Sequence, residues 1–232
     1  MMFFDPLWFL FSLPALILML WAQAKTRGAY SKYSEVRNML GVPGWQVART
    51  ILDSNGLRDV EIEEVPGELS DHYDPTTRVL RLSPGVARVP SVAAMGIAAH
   101  EVGHAIQHAT GYVPLKARSG FVPLVNFGST IGYLAILGGF LLQASGLVWV
   151  GIALFSFGAL FALITLPVEF DASSRAMAAL QSNGLVTQVE YDGARAVLNA
   201  AAWTYVAGFL QAFSQLLYFI FVALGMSRRS ND

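Results

Sequence analysis

The stretch Ala99-His100-Glu101-Val102-Gly103-His104-Ala105 decides how the rest of the chain is read. On an α-helix, positions four apart lie about 40° apart around the axis and one turn above each other, so His100 and His104 can face one metal ion. Glu101 points roughly 100° away from His100 and can reach a water bound to that ion. A catalytic zinc takes three protein ligands and keeps a fourth position for water, which is the chemistry that this order of residue types suits. The flanks read as a helix. Ser91 after Pro90 offers an N-cap, Gly111 after Thr110 a stop, and Ala93, Ala94, Gly96, Ala98 and Ala99 a small-residue face for close packing. The same letters could arise by chance on a solvated face. In an apolar helix, however, a carboxylate between two imidazoles is costly without a metal or a partner.

Composition narrows the class. Of 232 residues, 54% are hydrophobic and only 13% charged, too few charges for an ordinary soluble domain of this size. The net charge of −1 provides no basic field for nucleic acid, which is excluded as a partner. With no cysteine, disulfides and thiolate ligands are both ruled out, so a metal must be held by His, Asp or Glu.

The chain divides into five segments. Residues 1–24 hold the first apolar run, Phe3 to Ala22, long enough to cross a ~30 Å hydrocarbon core. Ala22-Gln23-Ala24 has the form of a signal-peptidase site. Yet Lys25, Arg27, Lys32 and Arg37 follow the run and none precedes it, which favours an uncleaved anchor with its N-terminus outside. Residues 25–118 are polar and form a small α+β element. Asn38 to Asn55 has helical spacing, Val60 to Val65 alternates as a strand, Leu69 to Pro75 reads as a turn, and Arg78 to Ser83 as a second strand that could pair with an extended substrate. Residues 119–168 form a hairpin of two membrane-length runs joined at Ser145-Gly146, with small residues such as Gly128, Gly132, Gly139 and Gly151 for close helix contact. Residues 169–202 return to water, broken at Asn183-Gly184, and 203–232 hold a fourth apolar run and a polar tail. The fold class is therefore mainly α and integral to the membrane, with about four transmembrane helices and a small cytoplasmic-side α+β element. The lipid bilayer is a partner. This orientation places nearly every Lys and Arg in the cytoplasm, except Arg228 and Arg229, and implies a multi-pass protein of the cell membrane.

Two imidazoles do not complete a catalytic zinc site. His108 lies one more helical turn along, but three successive i, i+4 side chains converge poorly on one ion, so His108 is read as hydrogen-bonded nearby or lining the cleft. Glu169 is the preferred third ligand, because the hairpin returns this point to the face that it left. The alternative for Glu169 is a helix first-turn acid favoured by the macrodipole. Asp171, two positions on, more naturally pairs with Arg175.

With His100-Glu101-Val102-Gly103-His104-Ala105-Ile106-Gln107, Asp71-His72-Tyr73-Asp74-Pro75 and Pro167-Val168-Glu169-Phe170-Asp171-Ala172 taken together, the chain resembles the YugP-like membrane zinc metallopeptidases over nearly its whole length. It is similar, more distantly, to the HtpX and CaaX prenyl protease group. There a Glu opening an E-x-x-A-D helix is the third zinc ligand, and the resemblance gives Glu169 that role. Ser173 stands where that group has Asp. The resemblance implies an integral membrane endopeptidase.

The expected activity is zinc-dependent hydrolysis of a protein or peptide substrate, with Zn²⁺ on His100, His104 and Glu169 and with Glu101 as general base. His72 or Tyr73 is the candidate for an oxyanion or substrate contact, against the plain reading of that stretch as a turn. A rival is a non-proteolytic membrane scaffold whose zinc is structural. It would need a fourth protein ligand from His108, His72 or Asp171.

Overall fold

The computed structural model describes residues 6–229; Met1 to Asp5 of the expected anchor and Ser230 to Asp232 of the tail lie outside the described residues. The elements are α1 (Pro6–Ser34), α2 (Gly44–Ser54), β1 (Glu61–Glu64), β2 (His72–Asp74), β3 (Val79–Leu82), α3 (Pro84–Ala87), α4 (Val92–Ala109), α5 (Val113–Leu141), α6 (Ser145–Ser182) and α7 (Gln188–Arg229). The molecule is mainly α, as the composition implies. Helices α1, α5, α6 and α7 are each long and apolar enough to cross a membrane. None of them stops where its apolar run stops. α6 continues through Pro167 and carries Glu169, Asp171 and Ser173 within one unbroken helix, and α7 joins the second polar return to the fourth apolar run.

The chain divides into two compact units. One comprises Met1–Trp21, Ala117–Leu166 and Thr204–Asp232. Its helices meet through small residues. A Cβ on Gly132 would lie 2.7 Å from the Phe155 nitrogen, and one on Gly151 would lie 2.6 Å from the Ile136 nitrogen, so α5 and α6 touch backbone to backbone. The expected turn at Ser145-Gly146 falls three residues earlier. Gln143 adopts φ 53°, and Ser145 already opens α6. A second seam joins α1 to α7, where Phe11 meets Tyr218 and Phe221 at ring distances of 6.3 and 6.1 Å.

The other unit, Ala22–Lys116 with Pro167–Trp203, is built around α4. Ser91 caps that helix by accepting the Ala94 N–H at 3.1 Å, and Gly111 (φ 66°) ends it. Residues 36–38 run beside its entry: Val92 N–H donates to the Val36 carbonyl and Asn38 N–H to the Pro90 carbonyl. One face of α4 buries Met95, Ala98, Ala99 and Val102 against Val47, Ile51 and Leu52 of α2 and against Leu80 and Leu82 of β3. α2 begins later than its periodicity suggests. Gly41 at φ 64° and Pro43 hold the chain open, and the Asn38 side chain brackets residues 38–42 by bonding both the N–H and the carbonyl of Val42.

The sheet order is β1-β3-β2, with β1 parallel and β2 antiparallel to β3. Two expectations change here. The turn foreseen at Leu69 to Pro75 contains strand β2. Arg78 to Ser83, read as an edge for substrate, lies instead at the centre of the sheet with both edges paired, so it cannot accept a further strand. The α7 entry is a reciprocal capping box in which Thr187 Oγ1 accepts the Glu190 N–H and Glu190 accepts the Thr187 N–H.

The glycine contacts in the first unit separate two substitutions. Gly151→Ala forces α5 and α6 apart and should lower the unfolding midpoint in detergent by an amount equivalent to ~1–3 kcal/mol. Gly158→Ala, with nothing within 4 Å of its added carbon, should be neutral or slightly stabilising in the same measurement.

Candidate metal centre

Two helices of the second unit build the site, and their closeness is set by one residue. A Cβ on Gly103 would lie 2.4 Å from the Ala172 carbonyl oxygen, so α4 and α6 touch along bare backbone at that point. Gly96 makes a looser approach to α7, where an added Cβ would lie 3.2 Å from the Ala194 methyl. The contact at Gly103 brings the α6 turn carrying Glu169 against the α4 turn carrying the two imidazoles.

His100 Nε2 stands 3.3 Å from Glu169 Oε2, and His104 Nε2 stands 3.6 Å from the same oxygen. The three ligand atoms all lie within 4.8 Å of one another. Tetrahedral zinc with bonds of about 2.1 Å separates its ligand atoms by about 3.4 Å, so this donor set fits the ion in both spacing and chemistry. Glu169 is only 3% exposed. It sits deep inside α6 rather than in a first turn, so a macrodipole role does not apply.

Each imidazole is also held from behind. His100 Nδ1 is 3.1 Å from Ser173 Oγ, and His104 Nδ1 is 3.0 Å from Gln107 Oε1. Ser173, which makes this contact with the His100 ring, stands one helical turn after Glu169. Gln107 was not singled out from the sequence. Its position, three residues after His104 on the same helical face, was the available signal.

Glu101 is buried, and its Oε2 accepts the Tyr73 backbone N–H at 3.1 Å. The Tyr73 hydroxyl stands 2.9 Å from His108 Nδ1. Burial pushes the Tyr73 phenol up, so the hydroxyl keeps its proton. Tyr73 therefore grips α4 at two points seven residues apart, one face of the helix. His108 is occupied by this contact and lies outside the metal-ligating group. His72 alternates with Tyr73 along β2, so its side chain projects from the other face of the strand, exposed and bonded through Nδ1 to the Ser70 carbonyl. The structure does not bring His72 to the cluster. Asp71 anchors the same loop by accepting the N–H and hydroxyl of Ser83, and burial pushes its carboxyl up against those bonds. Asp171 pairs with Arg175 at 2.6 Å.

Comparison with known proteins follows from this geometry. Residues 8–224 match the family described as "Putative neutral zinc metallopeptidase". The chain belongs to that family. It is similar to "Putative membrane protease YugP" of Bacillus subtilis (strain 168), 48% identical over 213 residues that cover 92% of this chain and 95% of the relative. No solved structure matches it. The family and the four long apolar helices make this a multi-pass membrane protein of a zinc peptidase family.

Protons and metal compete for the same atoms. Burial works against a charged His104, but the adjoining Glu169, with Glu101 and Gln107, outweighs it and lifts the imidazole above its ordinary value. A ligating imidazole must be neutral, so a raised value means that the proton is lost only at higher pH. Apparent zinc affinity should therefore begin to fall on acidification above pH ~6.5, by up to about tenfold per pH unit for each proton taken up. Competition titration with a chromophoric chelator across pH 5 to 9 measures this; a flat profile down to pH 6 would contradict it.

Proposed function

We propose that this protein is a membrane-embedded zinc-dependent endopeptidase that hydrolyses peptide bonds of membrane or membrane-proximal proteins, with its site on the cytoplasmic side of the cell membrane. The observation that carries the reading is the convergence of His100, His104 and Glu169 at zinc-ligand spacing, on the helix that also presents Glu101. A zinc ion held by those three side chains would polarise the scissile carbonyl and bring the pKa of a water near 7.

The chain's own residues do the rest. Glu101 accepts the proton of the attacking water and passes it to the leaving amine, a contribution of typically 10²–10⁴-fold. The Tyr73 N–H holds one oxygen of that carboxylate and so fixes its direction. Of the two residues weighed for the oxyanion or substrate contact, Tyr73 stands beside Glu101, and exposed His72 is left with a substrate contact at most. The scaffold alternative requires a closed site. Among the described residues the group has three donors, while His108 and Asp171 are engaged elsewhere, and an open fourth position is what a hydrolytic zinc needs.

The orientation rests on charge. Lys25, Arg27, Lys32 and Arg37 follow the first apolar run closely, and such residues stay in the cytoplasm.

Two experiments test the proposal. Glu101→Gln should keep zinc by elemental analysis and lose 10²-fold or more in cleavage of an unfolded membrane protein, while Glu169→Ala should lose the zinc itself. Cleavage by Glu101→Gln at the parent rate would remove the general-base assignment. Because the chain has no cysteine, single replacements report sidedness directly. Gln143→Cys should react with an impermeant maleimide on intact cells, and Asn55→Cys only after lysis.

A further inference from the structure

Gln107 is fully buried, and it uses every hydrogen-bonding group that it has. Its Nε2 donates to the Val168 carbonyl and to Asp171 Oδ2, each at 2.8 Å, and its Oε1 lies 3.0 Å from His104 Nδ1. The two partners of the amide nitrogen are a backbone carbonyl and a carboxylate. Both are acceptors, and the same Asp171 oxygen also accepts from the Arg175 guanidinium at 2.6 Å. Turning the amide over would put its oxygen against both of these acceptors and aim its N–H groups at His104, where at most one could find an acceptor. Because Gln107 has no solvent exposure, that would leave buried polar atoms unsatisfied. Only one orientation is therefore open to the amide, and it presents an acceptor to His104.

An acceptor at Nδ1 requires a proton there. We infer that Gln107 is a positioning residue: its amide, locked by Asp171 and the Val168 carbonyl, holds His104 as the Nδ1–H tautomer and leaves Nε2 bare toward Glu169 and the metal. The inference rests on the reading of His104 as a ligand and adds the residue that prepares it. The lock joins both halves of the centre. Val168 directly precedes Glu169, and Asp171 is two positions beyond it, so one amide fixes the His104 ring and grips the α6 segment that bears the third ligand. The Arg175 guanidinium lies over the Tyr112 ring at 5.5 Å, and the Tyr112 hydroxyl donates to the Pro167 carbonyl, which ties the outer end of the chain of contacts to the same turn of α6.

Removing such an orienting partner typically weakens metal binding 10–100-fold. The test uses the full chain in detergent, stripped of metal and labelled with ¹⁵N at histidine, with the His104 signals assigned by His104→Gln. At alkaline pH, where the imidazole is neutral, the ring-nitrogen shifts of the parent should show Nδ1 protonated and Nε2 bare. An Nε2–H tautomer in the parent overturns the inference without any variant. Gln107→Met, which keeps length and removes all three bonds, should show mixed tautomers and bind zinc 10–100-fold more weakly in chelator competition. If Gln107 merely anchored α6, Gln107→Met would lower the unfolding midpoint and leave both the tautomer and the zinc affinity as in the parent, and that result would end the assignment. Should the parent bind no zinc at all, the metal-centre reading fails, while the tautomer of the metal-free protein still decides the role of Gln107.

Discussion

The site depends on the bare-backbone contact between Gly103 and Ala172. A side chain on α4 at that point would occupy space within 2.4 Å of a main-chain oxygen that belongs to the α6 hydrogen-bond ladder and cannot move alone. The whole helix would have to shift by an ångström or more. Ligand atoms that now stand 3.3 and 3.6 Å apart would then miss one another. Helix packing and the spacing of the candidate ligand atoms thus depend on the same missing methyl group. Gly103 stands one residue before His104 and so lies about 100° around the helix from it, which lets it make the contact while the imidazole faces Glu169.

The continuity of α6 explains how an acid from beyond an apolar run can be aimed so closely. A ligand on a loop would bring the loop's freedom with it, and side chains on regular elements are held more tightly. Glu169, Asp171 and Ser173 ride on a single helix that is already ordered on both sides of them. The spacing then assigns the work. Glu169 and Ser173 are four apart and share a face, so one can ligate while the other reaches the His100 ring from behind. Asp171 lies between them in sequence and on a different face, where it meets Gln107 and Arg175.

Most of this architecture is legible in the sequence because it is carried by long-period signals. Four apolar runs, the Ser91 cap and the Gly111 stop name the main helices, and the metal-ligating stretch names its own helix. What fails is local and short. Strand β2 spans only His72, Tyr73 and Asp74, too short a run for its alternation to be read, and it pairs with Leu80 and its neighbours on β3. The hairpin turn moves because Gln143 takes a left-handed conformation usually left to Gly or Asn. His72 and Tyr73 could not be told apart from composition. Only the pleat, which sends neighbouring side chains to opposite faces, separates the exposed residue from the one against Glu101. Gln107 escaped notice because an amide in an apolar helix carries no chemistry of its own until its partners are known.

The groups behind the two imidazoles are a hydroxyl and an amide, and both are neutral. A carboxylate in either place would push electron density into the ring and strengthen it as a ligand, at the cost of a further negative charge beside Glu101 and Glu169. Burial works against an ionised Glu169, but its bonds to His100 and His104 outweigh that and hold its carboxyl well below the usual carboxylate range. Neutral partners orient the rings by geometry and add no charge beside these groups. The one charge in the outer contacts, Asp171, is matched by Arg175 and kept one amide's length from the ring. On this argument Ser173 and Gln107 are the orienting groups that suit a centre already carrying two acids: they fix direction without adding charge.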